Sequence, residues 1–180
     1  MNRKISITCQ KFLNVQLRDA TNADQENLRI WKNKHRTSFF YQEIIQPEQQ
    51  LKWFEGYQSR PDDYMFMVDE LLQENGKTTY NPIGCMAFRI EDDDTIDLYN
   101  IIRGKDSIGK VSMKEAMHMM LTYICEQFPD KKIKCDVLKD NPAVKWYQKC
   151  GFAIWEEKEY YIMGISIEDI PMIKIDSKEE

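Results

Sequence analysis

A single domain of mixed α/β (α+β) class, with a central, mostly antiparallel mixed sheet and helices on both of its faces, is the fold this sequence predicts. Three observations predict it. Short apolar or alternating runs recur at residues 64–70, 83–90, 95–103 and 132–138, the length and spacing of strands. Between the last two of these, Met113, Met117, Met120, Leu121, Ile124 and Phe128 follow one another at helical steps. The chain of 180 residues is long enough for one substantial core and short for two typical domains, so residues 1–180 are read as one unit.

The elements follow in order. Residues 15–18 suit a short first strand, and the cap-like residues after it lead into a helix with Leu28 and Trp31 on one side. Residues 46–59 read as a second helix starting near Pro47, where proline's missing donor and fixed φ suit a first turn. Strands at 64–70 and 83–90 form a hairpin across a turn at 74–82, and the acidic run 91–94 turns the chain into the strand at 95–103. The long helix is expected over 109–128, its methionines filling core. A strand at 132–138, a helix from Asn141 to a glycine stop at Gly151, and strands at 153–158 and 160–167 complete the order. Residues 176–180 read as a frayed polar tail.

Composition excludes several classes. With 42% hydrophobic and 31% charged residues the chain is neither disordered nor fibrous, and a net charge of −5 supplies no global field for nucleic acid. The five cysteines are odd in number, scattered and without a C-x-x-C pair, which argues against a disulfide framework or a structural zinc site and fits reduced thiols. Arg3 and Lys4 precede no continuous apolar region, and no apolar run approaches membrane-spanning length. A soluble, cytoplasmic protein with no membrane or nucleic-acid partner and no metal is expected.

Chemistry is most legible at residues 141–152, NPAVKWYQKCGF. Asn141 can cap a helix whose first residue is Pro142. Ala143 and Tyr147, four apart, share a face, so a phenol projects beside a small residue. An amphipathic helix with a buried tyrosine would have the same pattern. The spacing of Asn141, Ala143, Tyr147, Gly151 and Phe152 resembles the coenzyme-A-binding helix of the GNAT superfamily of acyl-CoA N-acyltransferases, and the order of elements is similar to that fold over nearly the whole chain.

The resemblance implies acetyl-CoA as co-substrate and assigns roles to further residues. Asn141 and Ala143 would meet the pantetheine arm, as would the backbone of the preceding strand around Tyr99 to Ile101. Tyr147 would protonate the departing thiolate, since a phenol is protonated at neutral pH and can donate to a developing anion. The turn after Ile101, rich in Arg103, Lys105 and Lys110 and opening a helix, suits a diphosphate. GNAT enzymes place an Arg/Gln-x-x-Gly-x-Gly/Ala loop there. This chain departs from it: with Gly109 at the final small position, Ser107 stands where the middle glycine lies, Gly104 where Arg or Gln lies, and Arg103 is displaced by one. Ile108, Gly109, Lys110 and Val111 are the expected donor amides.

Acyl transfer to an amine also needs a proton acceptor, for which Asp97 is the first choice by position, ahead of Glu43 and His35. Within residues 29–56, Trp31, His35, Arg36 and Tyr41 mix aromatic and hydrogen-bonding groups as a substrate wall does, although the same aromatics can pack helices on a sheet. The segment is similar to GNAT branches that acetylate nucleotide-linked amino sugars or ribosomal-protein N-termini. The implied activity is direct acetyl transfer to a primary amine, a nucleotide-linked amino sugar being preferred over a protein α-amine, an aminoglycoside or a polyamine, with room for a homodimer. A noncatalytic acyl-CoA-binding module and a CoA-independent structural protein are the rivals from other classes.

Overall fold

Apolar and alternating runs build, among the described residues, one nine-stranded sheet whose order is β7-β8-β6-β5-β4-β3-β2-β1-β9. The computed structural model describes residues 4–91 and 94–179. The strands are β1 (Ile5–Cys9), β2 (Val15–Asp19), β3 (Asp63–Glu74), β4 (Lys77–Ile90), β5 (Thr95–Arg103), β6 (Lys132–Leu138), β7 (Ala153–Glu157), β8 (Tyr160–Ile165) and β9 (Ile175–Glu179). The helices are α1 (Gln25–Lys34), α2 (Pro47–Gln58), α3 (Met113–Gln127) and α4 (Ala143–Lys149). Neighbouring strands run antiparallel except β5 and β6, which are parallel and joined by the α3 crossover.

The pleat divides the core. On β4, Met86 and Phe88 face α3, while Cys85 and Ala87 face α1 and α2. The α3 side, with Tyr147, Cys150 and Phe152 from the α4 segment, forms the larger cluster, and burial of Phe66 or Phe88 there stabilises by roughly 1.5–3 kcal/mol each. No helix among the described residues is long and apolar enough to cross a membrane.

Several boundaries differ from those the sequence predicts. The turn expected at 74–82 contracts to Asn75 and Gly76, both at positive φ, and the hairpin closes with Glu74 opposite Lys77. The long helix begins at Met113 because Lys110 takes a positive φ and a capping box follows: Ser112 Oγ accepts from the Glu115 amide at 3.2 Å, and Glu115 Oε2 accepts from the Ser112 amide at 2.9 Å. Residues 176–179 are not a frayed tail but most of β9, which pairs antiparallel with β1 from Ile5–Glu179 to Cys9–Ile175. Its backbone supplies the pairing while its charged side chains blunt the open edge. Residue 180 and residues 92 and 93 of the acidic turn lie outside the described residues.

Gly104 marks the end of β5, where its amide donates to Ile83 O at 2.8 Å and its Cα faces the buried Trp31 ring. A Cβ there would lie 2.0 Å from Trp31 Cε2. Gly104→Ala should therefore cost about 1–3 kcal/mol through overpacking and lower the melting temperature, measured by thermal unfolding. A melt identical to wild type would show that Trp31 yields freely.

Candidate active site

One irregularity in β5 shapes this face of the protein. Cys85 pairs with Ile102 but Ala87 pairs with Tyr99, so two residues of β4 span the space of three on β5, and Asn100 sits in the extra position at φ 47°. Bulges of this kind bend and twist a strand. Pairing of β5 with β6 is confined to Thr95–Lys132, Ile96–Ile133 and Asp97–Lys134. Beyond Asp97 the two strands part.

The gap between them is a cavity of about 440 Å³ bordered by β5 from Asp97 to Arg103, by Val137 on β6, and by Asn141, Ala143 and Tyr147 of the α4 segment. The connector after α1 roofs it with His35, Phe39 and Tyr41. Asn141 joins roof to wall, because its Nδ2 donates to Ser38 O at 3.0 Å while its Oδ1 accepts from the Ala143 amide at 2.9 Å. The helix begins at Ala143 with Pro142 in the cap position, one residue later than the sequence predicts, and the Asn141 side chain ties two distant segments together. Phe40 packs edge-on to Tyr160 at 5.3 Å on the same connector.

Tyr147 is buried in the cavity wall, its ring edge-on to Phe152 at 5.5 Å. Its hydroxyl hydrogen-bonds with the Cys135 thiol, and burial, reinforced by Cys135 and Cys150, pushes its pKa well above the ordinary phenol value. The phenol therefore keeps its proton and can donate it. Asp97 lines the same cavity with its carboxylate 3.2 Å from Lys134 Nζ; burial raises its pKa, an effect that Lys134 opposes. Tyr99 also borders the gap, and its side chain packs against the α1 and α2 cluster. There it donates to Asp63, which also accepts from Arg89 Nη2 at 2.9 Å.

A second cavity, of about 320 Å³, lies between β4, β5 and helices α1 and α2, and it shares Lys32, Tyr41, Asn100 and Ile102 with the first. Lys32 stands at the junction. Its ammonium donates to Asn100 Oδ1 and lies 4.2 Å from the Phe39 ring centre, and burial lowers its pKa to about 8. Sequence reasoning missed it, although Leu28, Trp31 and Lys32 share one helix face by their spacing. A third cavity of about 340 Å³ shares Ile101, Arg103 and Ala143 with the first and reaches Ser112 and Lys114 at the start of α3. Shared lining residues thus link the first cavity to each of the other two.

Other expected residues sit elsewhere. Trp31, expected to face substrate, is core beneath Gly104, and Arg36 lines none of these cavities. The loop at 104–112 turns its amides inward. Glu70, fully buried on β3, accepts from Ser107 Oγ at 2.5 Å, from the Ile108 amide at 3.0 Å, from the Gly109 amide, and from Asn81 Nδ2 at 3.0 Å. The Val111 amide donates to Ser107 Oγ at 2.7 Å. Of the four amides expected to meet a diphosphate, those of Ile108, Gly109 and Val111 are thus already satisfied within the protein. Lys110 remains, on an exposed turn. Among the described residues no group of three or more His, Cys, Asp or Glu side chains is placed to hold a metal ion.

Residues 14–153 match the family model of the acetyltransferase (GNAT) domain, and the chain belongs to that family of acetyltransferases. Solved structures share the fold. A domain from Methanocaldococcus jannaschii superposes with a TM-score of 0.67 at 20% identity, covering 84% of this chain and 97% of its own. A spermidine N-acetyltransferase from Vibrio cholerae, in complex with CoA and spermine, gives 0.66 at 18% identity, with 84% and 93% covered. Apo FdhC, a nucleotide-linked sugar GNAT, gives 0.66 at 16% identity, with 84% and 85% covered. No curated protein matches the chain.

Glu70 is held as a carboxylate. Burial raises its pKa, but the bonds from Ser107, Gly109, Asn81 and Ile108 outweigh this and leave it below the ordinary value. A depressed native pKa contributes stability that is complete above the unfolded-state value and is lost as pH falls through the native one. Glu70→Gln should therefore lower stability by about 1–3 kcal/mol at neutral pH by setting an amide N–H₂ against these donors. The gap to wild type should narrow in melts taken through the acid range. A gap unchanged by pH would remove the carboxylate from the account.

Proposed function

We propose that the protein transfers the acetyl group of acetyl-CoA to the primary amine of a small molecule, by direct attack of the amine on the thioester. The observation that carries this reading is the gap between β5 and β6, walled by Tyr147 and open at one end to the α3 start and at the other to the cavity at Lys32. The donor's pantetheine arm lies along the backbone of residues 99–101 and beside Ala143. Its diphosphate lies near Arg103, Lys110 and Lys114, at the positive end of α3. Side-chain cations and the helix end take the part that loop amides were expected to play.

The amine forms its bond to the carbonyl carbon as the bond to sulfur breaks, and Tyr147 gives its proton to the thiolate. The buried phenol suits this, since only a protonated group can donate. Asp97, on the wall of the same gap, is the proposed acceptor of the amine's proton, and burial makes it a stronger base than an exposed carboxylate. No acyl-enzyme is needed.

A nucleotide-linked amino sugar fits the cavities less well. Of the residues that carried the resemblance to the sugar branch, Arg36 lies outside the cavities and Trp31 is core. His35 and Tyr41 do line the gap. The acceptor is therefore proposed as a smaller amine.

Acetyl-CoA should raise the melting temperature, because it binds the folded state alone. Tyr147→Phe should lower turnover by roughly a hundredfold or more, with the dissociation constant of acetyl-CoA nearly unchanged. Thiol release and calorimetry read the two quantities separately. Wild-type turnover in Tyr147→Phe, with chemistry rate-limiting, would exclude the phenol as the acid.

A further inference from the structure

The cavity of about 320 Å³ beside Lys32 has an unusual lining for a site that receives an amine. Leu28, Ile45, Trp53, Met65 and Ile102 make its walls apolar, and Gln49, Gln50 and Asn100 add neutral amides. Cys85 adds a thiol, which burial keeps protonated with a pKa up to about 12. Among the described residues that line it, Lys32 is the one whose side chain carries charge, and its sign is positive. No aspartate or glutamate among the described residues borders this space.

A cation in such surroundings is costly unless an anion accompanies it. Lys32 has an amide oxygen, Asn100 Oδ1, and an aromatic face, Phe39, as its partners. Both are neutral. The carboxylates of the neighbouring gap, Asp97 and Asp136, border the other cavity and not this one. Lys32 is therefore a half-buried positive group whose polar partners leave its charge uncompensated, at the point where acceptor and thioester meet.

We propose that this cavity binds an acceptor carrying its own carboxylate and an apolar side chain, the class of the apolar α-amino acids. The carboxylate pairs with Lys32, the side chain packs among Leu28, Ile45, Trp53 and Met65, and the amine faces the gap that holds the thioester. A polyamine is disfavoured on the same grounds, because its second ammonium would enter a space that offers a like charge and no carboxylate. This inference rests on the acetyltransferase reading above and specifies its acceptor.

The test separates binding from turnover. Leucine, leucinamide and spermidine are titrated calorimetrically into the wild-type protein saturated with CoA, and then into Lys32→Met and Lys32→Arg; thiol release from acetyl-CoA is followed in parallel. Leucine should bind wild type and Lys32→Arg about tenfold or more tightly than leucinamide, with spermidine weakest. In Lys32→Met, which keeps the apolar stem, the advantage of leucine over leucinamide should vanish. Leucinamide or spermidine binding wild type as tightly as leucine, or no binding by any of the three, overturns the assignment without needing a variant. Leucine bound as expected with no thiol released supports the assignment and contradicts the transferase reading instead. Thiol released with spermidine in preference to leucine leaves the transferase standing and removes this acceptor class.

Discussion

A single extra residue, Asn100, sets the course of β5, and every cavity on the functional face is bordered by that strand. The pairing of β5 with β6 ends at Asp97, three residues before it. With it, the strand bends away while keeping its pairing to β4, so the sheet stays whole on one side and opens on the other. Asparagine suits the position because it tolerates positive φ better than most side chains. Its side chain then serves the site it opens, by accepting from Lys32.

A sheet opened in this way needs its loose segments fixed from outside the strand ladder. Three polar side chains do so. Asn141 ties the start of α4 to the connector after α1, which keeps the roof of the gap over its floor. Glu70 gathers the hydroxyl and amides of residues 107–109 against β3. Arg18 binds Asp24 at 2.8 Å and Asp69 at 2.6 Å, joining the approach to α1 to β2 and β3. The cost is visible at the loop. A carboxylate from the protein occupies the Ile108 and Gly109 amides, which were expected to meet an anionic ligand.

Much of the fold could be read from local pattern. The methionine-rich stripe of α3, the apolar run of β4, the alternation in β5 and the helix after Asn141 are short-range signals, and the structure has each of them. What could not be read depends on partners far away in sequence. Strand β9 carries polar side chains that are mostly exposed, and only its backbone pairing with β1 makes it a strand. Glu70 sits in a run that reads as an ordinary buried strand, while the groups that hold it are 37 to 39 residues downstream, with Asn81 nearer. Trp31 has the same composition signal whether it fills core or faces ligand, and Gly104 decides which. For the candidate site, the placement of Asn141 and Tyr147 on one cavity wall was legible because helical spacing fixes their direction. Lys32 was overlooked because a lysine on an amphipathic helix normally extends to water, whereas here the connector carrying Phe39 closes over it.

The central claim is that the opening of β5 from β6 at Asp97 forms the seat of the acyl donor. A crystal structure with CoA bound tests this most directly. The account predicts the pantetheine arm between the two strands, against the backbone of residues 99–101, with the sulfur beside the Tyr147 hydroxyl and the diphosphate near Arg103 and the start of α3. CoA bound elsewhere, with the gap empty and Tyr147 remote from the sulfur, would contradict it.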